Sequence, residues 1–482
     1  MDNKLNRRSF IKWSAIGSTT IAATGCGSDP VEELIPLLVP PADYVPGVSV
    51  HVATTCQDCS AGCGLIIRTR EGRAIKVEGN PQNPLNQGAV CAQGQATLQG
   101  LYSPSRIKAP FHRKAGQKNQ TTWEEGIALF NNKIDEVKTA GNKKILYFGK
   151  PQTGSLKKLT EDFLSAIGAT KLEIDLTPVR SLKKANQICF NRPEIPHYAL
   201  EKVDLLVNFG ADFLETWLNP VQATKNFTKS HQLKNGKKGE FIHISPHMSL
   251  TGSNADEWIS CPPGKEVMIV LSLIKKLLEE SQGLTGEEKK NLKAYIRESN
   301  AGEIISKSGI NEKAFNILLS KIRKSKNFLA LAGGLSSAGE NSLQLQIAVN
   351  LLNYVVGSIN QSVLFGAEYQ IGGSSAVDIQ SAISDMQAGK VGLLIVENVN
   401  PAFILPQNAD FKSALEKVDF VMALATERDE TNEKADLVLP ISHFLESWGD
   451  AFPRTGLSLL QQPVMAKVPK INSIALGDLW LQ

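Results

Sequence analysis

The sequence predicts an α/β protein: a small cysteine-bearing N-terminal module followed by two doubly wound, Rossmann-like parallel-sheet domains. Three observations carry that prediction. Short apolar runs alternate along the chain with amphipathic helical segments, as strands buried between two helical layers do. Several runs end on glycine, at Gly149, Gly210 and Gly333, where a ligand backbone can approach the end of a parallel strand. Four cysteines, Cys56, Cys59, Cys63 and Cys91, precede the first run with the spacing C-x2-C-x3-C-x27-C.

The N-terminus is an address. Asn6-Arg7-Arg8-Ser9-Phe10-Ile11-Lys12 resembles a twin-arginine export motif, with Arg7 and Arg8 as its pair. Residues 13–25 are mildly apolar, too short and too rich in Ser, Thr and Gly to span a bilayer. Ala23-Thr24-Gly25-Cys26 resembles a bacterial lipobox, in which Cys26 becomes a lipidated N-terminus. The alternative is an ordinary cleavage site with a chance cysteine. Residues 27–46 carry many prolines, as a tether does. These segments predict a protein on the periplasmic face of a bacterial cytoplasmic membrane. Net charge is +4 with the basic leader included, so the body is near neutral and nucleic-acid binding is excluded.

Three thiols within eight residues and one distant thiol suit a cubane [4Fe-4S] cluster, in which each iron takes one thiolate. Zinc also takes four thiolates, but usually from two C-x2-C knuckles, and the second is missing here. Disulfide frameworks belong to small cysteine-dense domains, and seven cysteines in 482 residues make none. Residues 65–68 and 74–77 read as two short strands around a Glu71-Gly72 turn.

Beyond that module, residues 144–149, 203–210, 241–244, 328–332, 392–396 and 420–425 read as buried strands, with helices over 267–280 and 343–356. The expected organisation is a signal over 1–26, a linker over 27–46 and an iron–sulfur domain over 47–110. A discontinuous α/β domain over 111–170 and 325–482 and a second α/β domain over 171–324 follow.

The run from Cys56 to Gly94, and Tyr102-Ser103-Pro104-Ser105-Arg106 after it, resembles the cluster domain of the molybdopterin oxidoreductase family. Later segments follow the family in order. These are Glu201 to Pro220, Ser245 to Asp256 with Cys261-Pro262-Pro263-Gly264, Glu397-Asn398-Val399-Asn400-Pro401, and Glu433 to Pro440. The resemblance implies a [4Fe-4S] cluster on the four cysteines and a molybdenum bis-pterin guanine dinucleotide near Gln93, Gly210, Asp212, Ser245, Gly264 and Asn400. The family's final pterin-capping domain is absent from the resemblance. Phe209 to Trp217, Leu445 to Asp450 with Pro453-Arg454, and Gln461-Gln462-Pro463 resemble the large iron–sulfur subunit of alternative complex III and its polysulfide-reductase-like relatives. That subgroup implies two partners: a ferredoxin-like iron–sulfur subunit or domain, and an integral membrane quinol-interacting subunit.

Three departures weigh against a working molybdenum site. Catalytic members commonly carry Lys where this chain has Gln93, which removes a cation. The guanosine-side loop usually begins with Asp, and Ser245 cannot accept the same two hydrogen bonds. No convincing metal ligand precedes residue 203. Cys189 falls on an apolar helical stripe, Val179, Leu182, Ala185 and Ile188, and reads as core, while register places a ligand nearer Asp175 or Ser181. The last ten residues, 473–482, are apolar and predict an exposed patch unless a partner covers it.

Three functions compete. The first is an iron–sulfur electron-transfer and scaffold subunit of a membrane-associated respiratory oxidoreductase. The second is a catalytic molybdenum oxidoreductase acting on a small oxo or sulfur compound. The third is a non-redox scaffold holding zinc or disulfides.

Overall fold

A computed structural model describes residues 47–114, 116–175, 179–281, 283–296, 308–334 and 338–482. The export and lipidation residues Arg7, Arg8 and Cys26 lie outside the described residues.

A mostly parallel sheet, a wholly parallel sheet and a three-stranded antiparallel sheet, with the two-stranded pairs His197–Tyr198 with Val363–Leu364 and Gly449–Arg454 with Leu457–Gln461, organise residues 49–482, which form one compact unit. The larger sheet has seven strands. Its parallel part runs Leu437–Pro440, Phe420–Ala425, Val391–Glu397, Lys144–Gly149 and Ala169–Glu173. The hairpin Phe111–Lys114 and Gln117–Gln120 closes one edge antiparallel. The central strands are apolar throughout because both faces are covered. Alternate residues prove it: Leu146 and Phe148 enter one buried cluster with Leu394 and Val396. Ile145 and Tyr147 enter another with Leu393 and Ile395.

The smaller sheet is wholly parallel, in the order Glu257–Ser260, Glu240–Ser245, Leu205–Phe209 and Phe328–Ala332. It too is covered on both faces. Leu205, Val207 and Phe209 face one core, and Leu206 faces the other with Phe241 and Leu329.

Two expected boundaries move. Residues 328–332 were expected in the discontinuous domain, but Phe328–Ala332 pairs with Leu205–Phe209 in the smaller sheet. The helix that follows, Ser342–Val356, packs into the same core as Glu266–Leu278. An apolar five-residue run carries no mark of which sheet it joins. The boundary after residue 170 falls inside Ala169–Glu173, a strand of the larger sheet.

The apolar terminal stretch is covered rather than exposed. Leu476, Leu479 and Trp480 are buried against the helix Gly154–Ile167. The Trp480 ring stacks on Phe163 at 4.3 Å, and its indole N–H donates to Thr160 Oγ1 at 3.1 Å. Leu481 alone of these apolar side chains points outward.

Among the described residues no helix is long and apolar enough to cross a membrane.

Candidate iron–sulfur site and the cavity behind it

The antiparallel sheet Val50–Thr55, Gly64–Arg70 and Arg73–Gly79 delivers two cysteines to one place. Thr55 pairs with Gly64, so Cys56 and Cys63 leave the ladder side by side, with the Cys56 N–H donating to the Cys63 carbonyl at 2.8 Å. The loop between them carries Cys59. The second and third strands join through Glu71 and Gly72, both at positive φ, the geometry a two-residue hairpin turn needs.

Cys91 arrives by a separate device. The buried Asn86 accepts the Gly64 N–H at 2.9 Å and donates to the Gly64 and Ala89 carbonyls at 2.8 and 2.6 Å. This clasp fixes the approach to Cys91, which then caps the helix Ala92–Leu101, its Sγ accepting the Gly94 N–H at 3.3 Å. Gly64 must be glycine because a Cβ there would lie 2.5–2.8 Å from the Asn83 side chain. The sequence reading missed Asn86, since an Asn between Pro and Gly in a polar stretch reads as a turn residue.

The thiols sense one another. Burial pushes the Cys63 thiol up to about 12, with Cys59 and Cys91 adding to the shift. Cys56 is raised by burial, then by Asp58, Cys59 and Cys63. Cys59 is raised by dense surroundings, then by Cys91, Asp58 and Asp175. Its own surface stays exposed because it lines the wall of a cavity. No group of three His, Cys, Asp or Glu among the described residues is placed to hold a single metal ion. Four thiols that each interact electrostatically with at least one other fit a [4Fe-4S] group, in which each iron takes one thiolate.

The cavity is about 810 Å³ and opens at the carboxyl ends of the larger sheet's parallel strands, where such sheets bind ligands. Cys59 and Gln93 form one wall, with the Gln93 amide donating to the Asp58 carbonyl at 3.4 Å. Lys150, just past Lys144–Gly149, donates to the Gln57 carbonyl at 3.1 Å and ties the cysteine loop to the sheet. Opposite, the Asp450 carboxylate accepts the Ser155 N–H at 2.8 Å and the Ser155 hydroxyl at 3.0 Å, at the N-terminus of Gly154–Ile167. Besides Cys59, the ionisable side chains lining the cavity among the described residues are Asp58, Asp175, Glu397, Glu427, Asp450 and Asp478 against Lys150 and His443. Burial and Arg106 hold the His443 pKa down at about 4, so it is neutral at neutral pH.

The other expected cofactor residues lie elsewhere. Ser245 ends a strand of the smaller sheet, Gly210, Asp212 and Gly264 follow strands of it, and none of the four lines this cavity. Ser245 is fully buried, its hydroxyl donating to the His247 carbonyl at 2.6 Å and accepting the Trp258 N–H at 3.1 Å. That hydroxyl is committed inside the protein. Asp212 is buried with no hydrogen-bond partner for Oδ1 among the described residues, and burial raises its pKa. Gly264, at φ 77°, accepts a hydrogen bond from the Asn341 amide at 2.6 Å. Asn400 lines a separate cavity of about 850 Å³, bonded to Glu430 and Thr431 at 2.6 and 2.7 Å. Cys189 is half-buried rather than core, because the helix turns Asn186 inward and Ile188 outward.

Arg106, from the expected Y-x-P-x-R segment, is 2 % exposed and pairs with Glu446 through two bonds of 3.0 and 2.8 Å. Burial would raise the Glu446 carboxyl, but Arg106 and the Val468 N–H hold it below its ordinary value. Nearby, Thr55 donates to the Leu460 carbonyl at 2.8 Å and Gln462 to the Ala53 carbonyl at 2.6 Å. The segment 445–468 is thus the seam that holds the cysteine module against the larger sheet.

Comparison with known proteins finds two family models along the chain. Residues 50–103 match the model of the molybdopterin oxidoreductase Fe4S4 domain, and residues 106–457 match that of molybdopterin oxidoreductase. One relative is the menaquinone reductase, molybdopterin-binding-like subunit, of Nitratidesulfovibrio vulgaris, 26% identical over 92% of this chain and 66% of that protein. Another belongs to the sulfite dehydrogenase of Allochromatium vinosum, 26% identical over 52% of this chain and 25% of that protein. The chain therefore spans less than two thirds of the length of either relative. Acetylene hydratase from Pelobacter acetylenicus shares the fold, with a TM-score of 0.71 at 14% identity over 87% of this chain and 67% of that one. With the family model covering most of its length, the chain belongs to the molybdopterin oxidoreductase family.

Proposed function

We infer that the chain is an electron-transfer and scaffold subunit of a membrane-associated respiratory oxidoreductase, holding one [4Fe-4S] cluster on Cys56, Cys59, Cys63 and Cys91. When bound, the cluster supplies a one-electron centre. The protein's share is to bring the four thiols together as thiolates, their protons released to solvent as the metal binds, and to exclude water from Cys56 and Cys63, which are buried.

One observation carries the non-catalytic half of this reading: the charge of the cavity beside the cysteines. Six carboxyl groups face one lysine and a neutral histidine. A pterin dinucleotide brings pyrophosphate, which needs cations or free N–H groups. Here Asp450 already occupies the N-terminus of the helix that points into the cavity. These residues do not fit such an anion, and no chemical step is routed through it. The name of the Nitratidesulfovibrio relative, molybdopterin-binding-like, supports the same reading.

A catalytic molybdenum subunit is the second reading. It is favoured by Asp175, which lines the cavity near Cys59 at the register expected for an oxygen ligand, and by the buried Asp212 Oδ1.

Partners of the first reading are a ferredoxin-like iron–sulfur subunit or domain and a membrane quinol-interacting subunit. Its place is the periplasmic face of the membrane, anchored by lipid on Cys26. Fractionation tests the anchor: Cys26→Ser moves the protein from the membrane to the soluble periplasmic fraction.

Metal analysis of anaerobically purified protein, with low-temperature EPR after reduction, tests the whole. About four irons per chain without molybdenum is expected. Stoichiometric molybdenum overturns this reading in favour of the second, and zinc without an EPR signal removes the cluster.

A further inference from the structure

Glu397 ends the strand Val391–Glu397 on the floor of the cavity that Cys59 lines. It is 2 % exposed, a carboxyl in the interior without an ion pair among the described salt bridges. Its Oε2 lies 3.3 Å from the Tyr147 hydroxyl and 3.5 Å from the Gln152 amide nitrogen. The Lys150 backbone N–H also donates to the carboxyl, and the Lys150 ammonium reaches the Gln57 carbonyl in the cysteine loop. One residue therefore joins the buried acid to the cluster loop. Tyr147 can fold back onto Glu397 only because residue 149 is glycine: a Cβ there would lie 2.6 Å from the Tyr147 hydroxyl.

We propose that Glu397 is a redox-linked proton site, taking up one proton from solvent through the cavity when the neighbouring cluster takes up one electron. The proposal rests on the cluster reading above. The electron comes from an external one-electron donor of low potential, and the proton binds a Glu397 carboxylate oxygen. Both leave when the cluster is reoxidised, so charge and atoms balance.

Electrostatics supports the geometry. Burial raises the Glu397 pKa to about 7, against the lowering effects of Lys150, Tyr147 and Gln152. An added negative charge on the cluster raises it further, because a like charge disfavours the carboxylate. Asp58, which accepts the Cys56 S–H at 3.5 Å and whose pKa burial also raises, is another carboxyl at the cysteines, so the comparison of wild type with Glu397→Gln reads Glu397 alone. From Lys144–Gly149 Glu397 faces Tyr147, whose pKa is driven well up by burial and by Glu397 itself. From the loop beyond come Lys150 and Gln152. From Phe420–Ala425 comes its register partner Leu424, which carries no charge. Asp58 and Asp175 line the same cavity at the cysteine loop, and Glu173 at the end of Ala169–Glu173 acts on Tyr147.

Potentiometric titration of the cluster, followed by EPR at several pH values, tests the proposal. In the wild type the midpoint potential is flat well below pH 7 and falls above it, by up to ~59 mV for each tenfold drop in proton concentration. In Glu397→Gln, which keeps the size, the potential is independent of pH across that window. A wild type that holds its cluster but shows no slope overturns the proposal, and so does a slope that survives in Glu397→Gln. If that variant loses the cluster, Tyr147→Phe decides. Loss of the hydroxyl donor raises the carboxyl pKa and moves the onset of the slope to higher pH, and an unmoved onset overturns the proposal. Iron content separates this failure from the larger one: wild-type protein without iron removes the cluster reading and this inference together.

Discussion

Arg106 and Glu446 stand 340 positions apart and meet at 2.8 Å with almost no exposure. Each alone would be a buried charge. Removing one partner leaves the other unpaired, so Glu446→Leu is expected to cost about 3–5 kcal/mol in urea unfolding. The double variant Arg106→Met with Glu446→Leu is expected to recover much of that loss. The cysteines separate in the same way. Cys59→Ala is expected to abolish the iron signal, whereas Cys189→Ala, half-buried on its helix, costs about 1 kcal/mol of stability and no iron. Arg106 was legible in the sequence as part of a motif, but its partner was not, because nothing local marks Glu446. Glu397 and Asp450 stand out in the sequence only as members of longer segments for the same reason: what they touch is set by strands and helices from other parts of the chain.

At the scale of elements, the strands were the legible part. Leu146, Leu394 and Val421 lie in unbroken apolar runs because helices cover both faces of their sheet, and that pattern is visible without coordinates. Which runs pair was not visible: Phe328–Ala332 joins Leu205–Phe209 across more than a hundred residues. The Asn86 clasp was equally hidden. Asn86→Ala removes three hydrogen bonds at Gly64 and Ala89 without touching a thiol, and is expected to lower iron content per chain while leaving far-UV circular dichroism unchanged. The strand Glu240–Ser245 carries a pH dependence. His243 is fully buried, and burial holds its pKa at about 4. The unfolded chain protonates this histidine near its ordinary pKa of about 6.5, and the folded chain resists until about 4. Stability is therefore complete above about pH 6.5 and falls as pH drops to 4, by roughly 3 kcal/mol. Urea titrations of His243→Gln lose that component of the acid slope.

The whole molecule turns on the relation between the cysteine module and the larger sheet. The order of colinear segments identified the family from the sequence, and the spacing of the four cysteines marked the candidate iron–sulfur site. The charge of the cavity could not be read the same way, because Asp58, Glu397 and Asp450 come from three separate stretches. A gain of function follows from that charge. Asp450→Asn frees the helix N-terminus of its carboxylate, and the variant is expected to bind inorganic pyrophosphate more tightly than the wild type in calorimetry. Equal, negligible heats in both would show that the remaining carboxyl groups suffice to exclude it.

The seam formed by residues 445–468 also imposes a timetable. Cys91 leaves the ribosome long before Glu446 and Val468, which brace the module that holds it. At ~5–20 residues per second, tens of seconds separate the two events. Through that interval the nascent chain displays four thiols on a small sheet and a helix start that nothing yet backs. Iron delivered then would meet an unfinished socket, so loading belongs after the last third of the chain has been made and folded home.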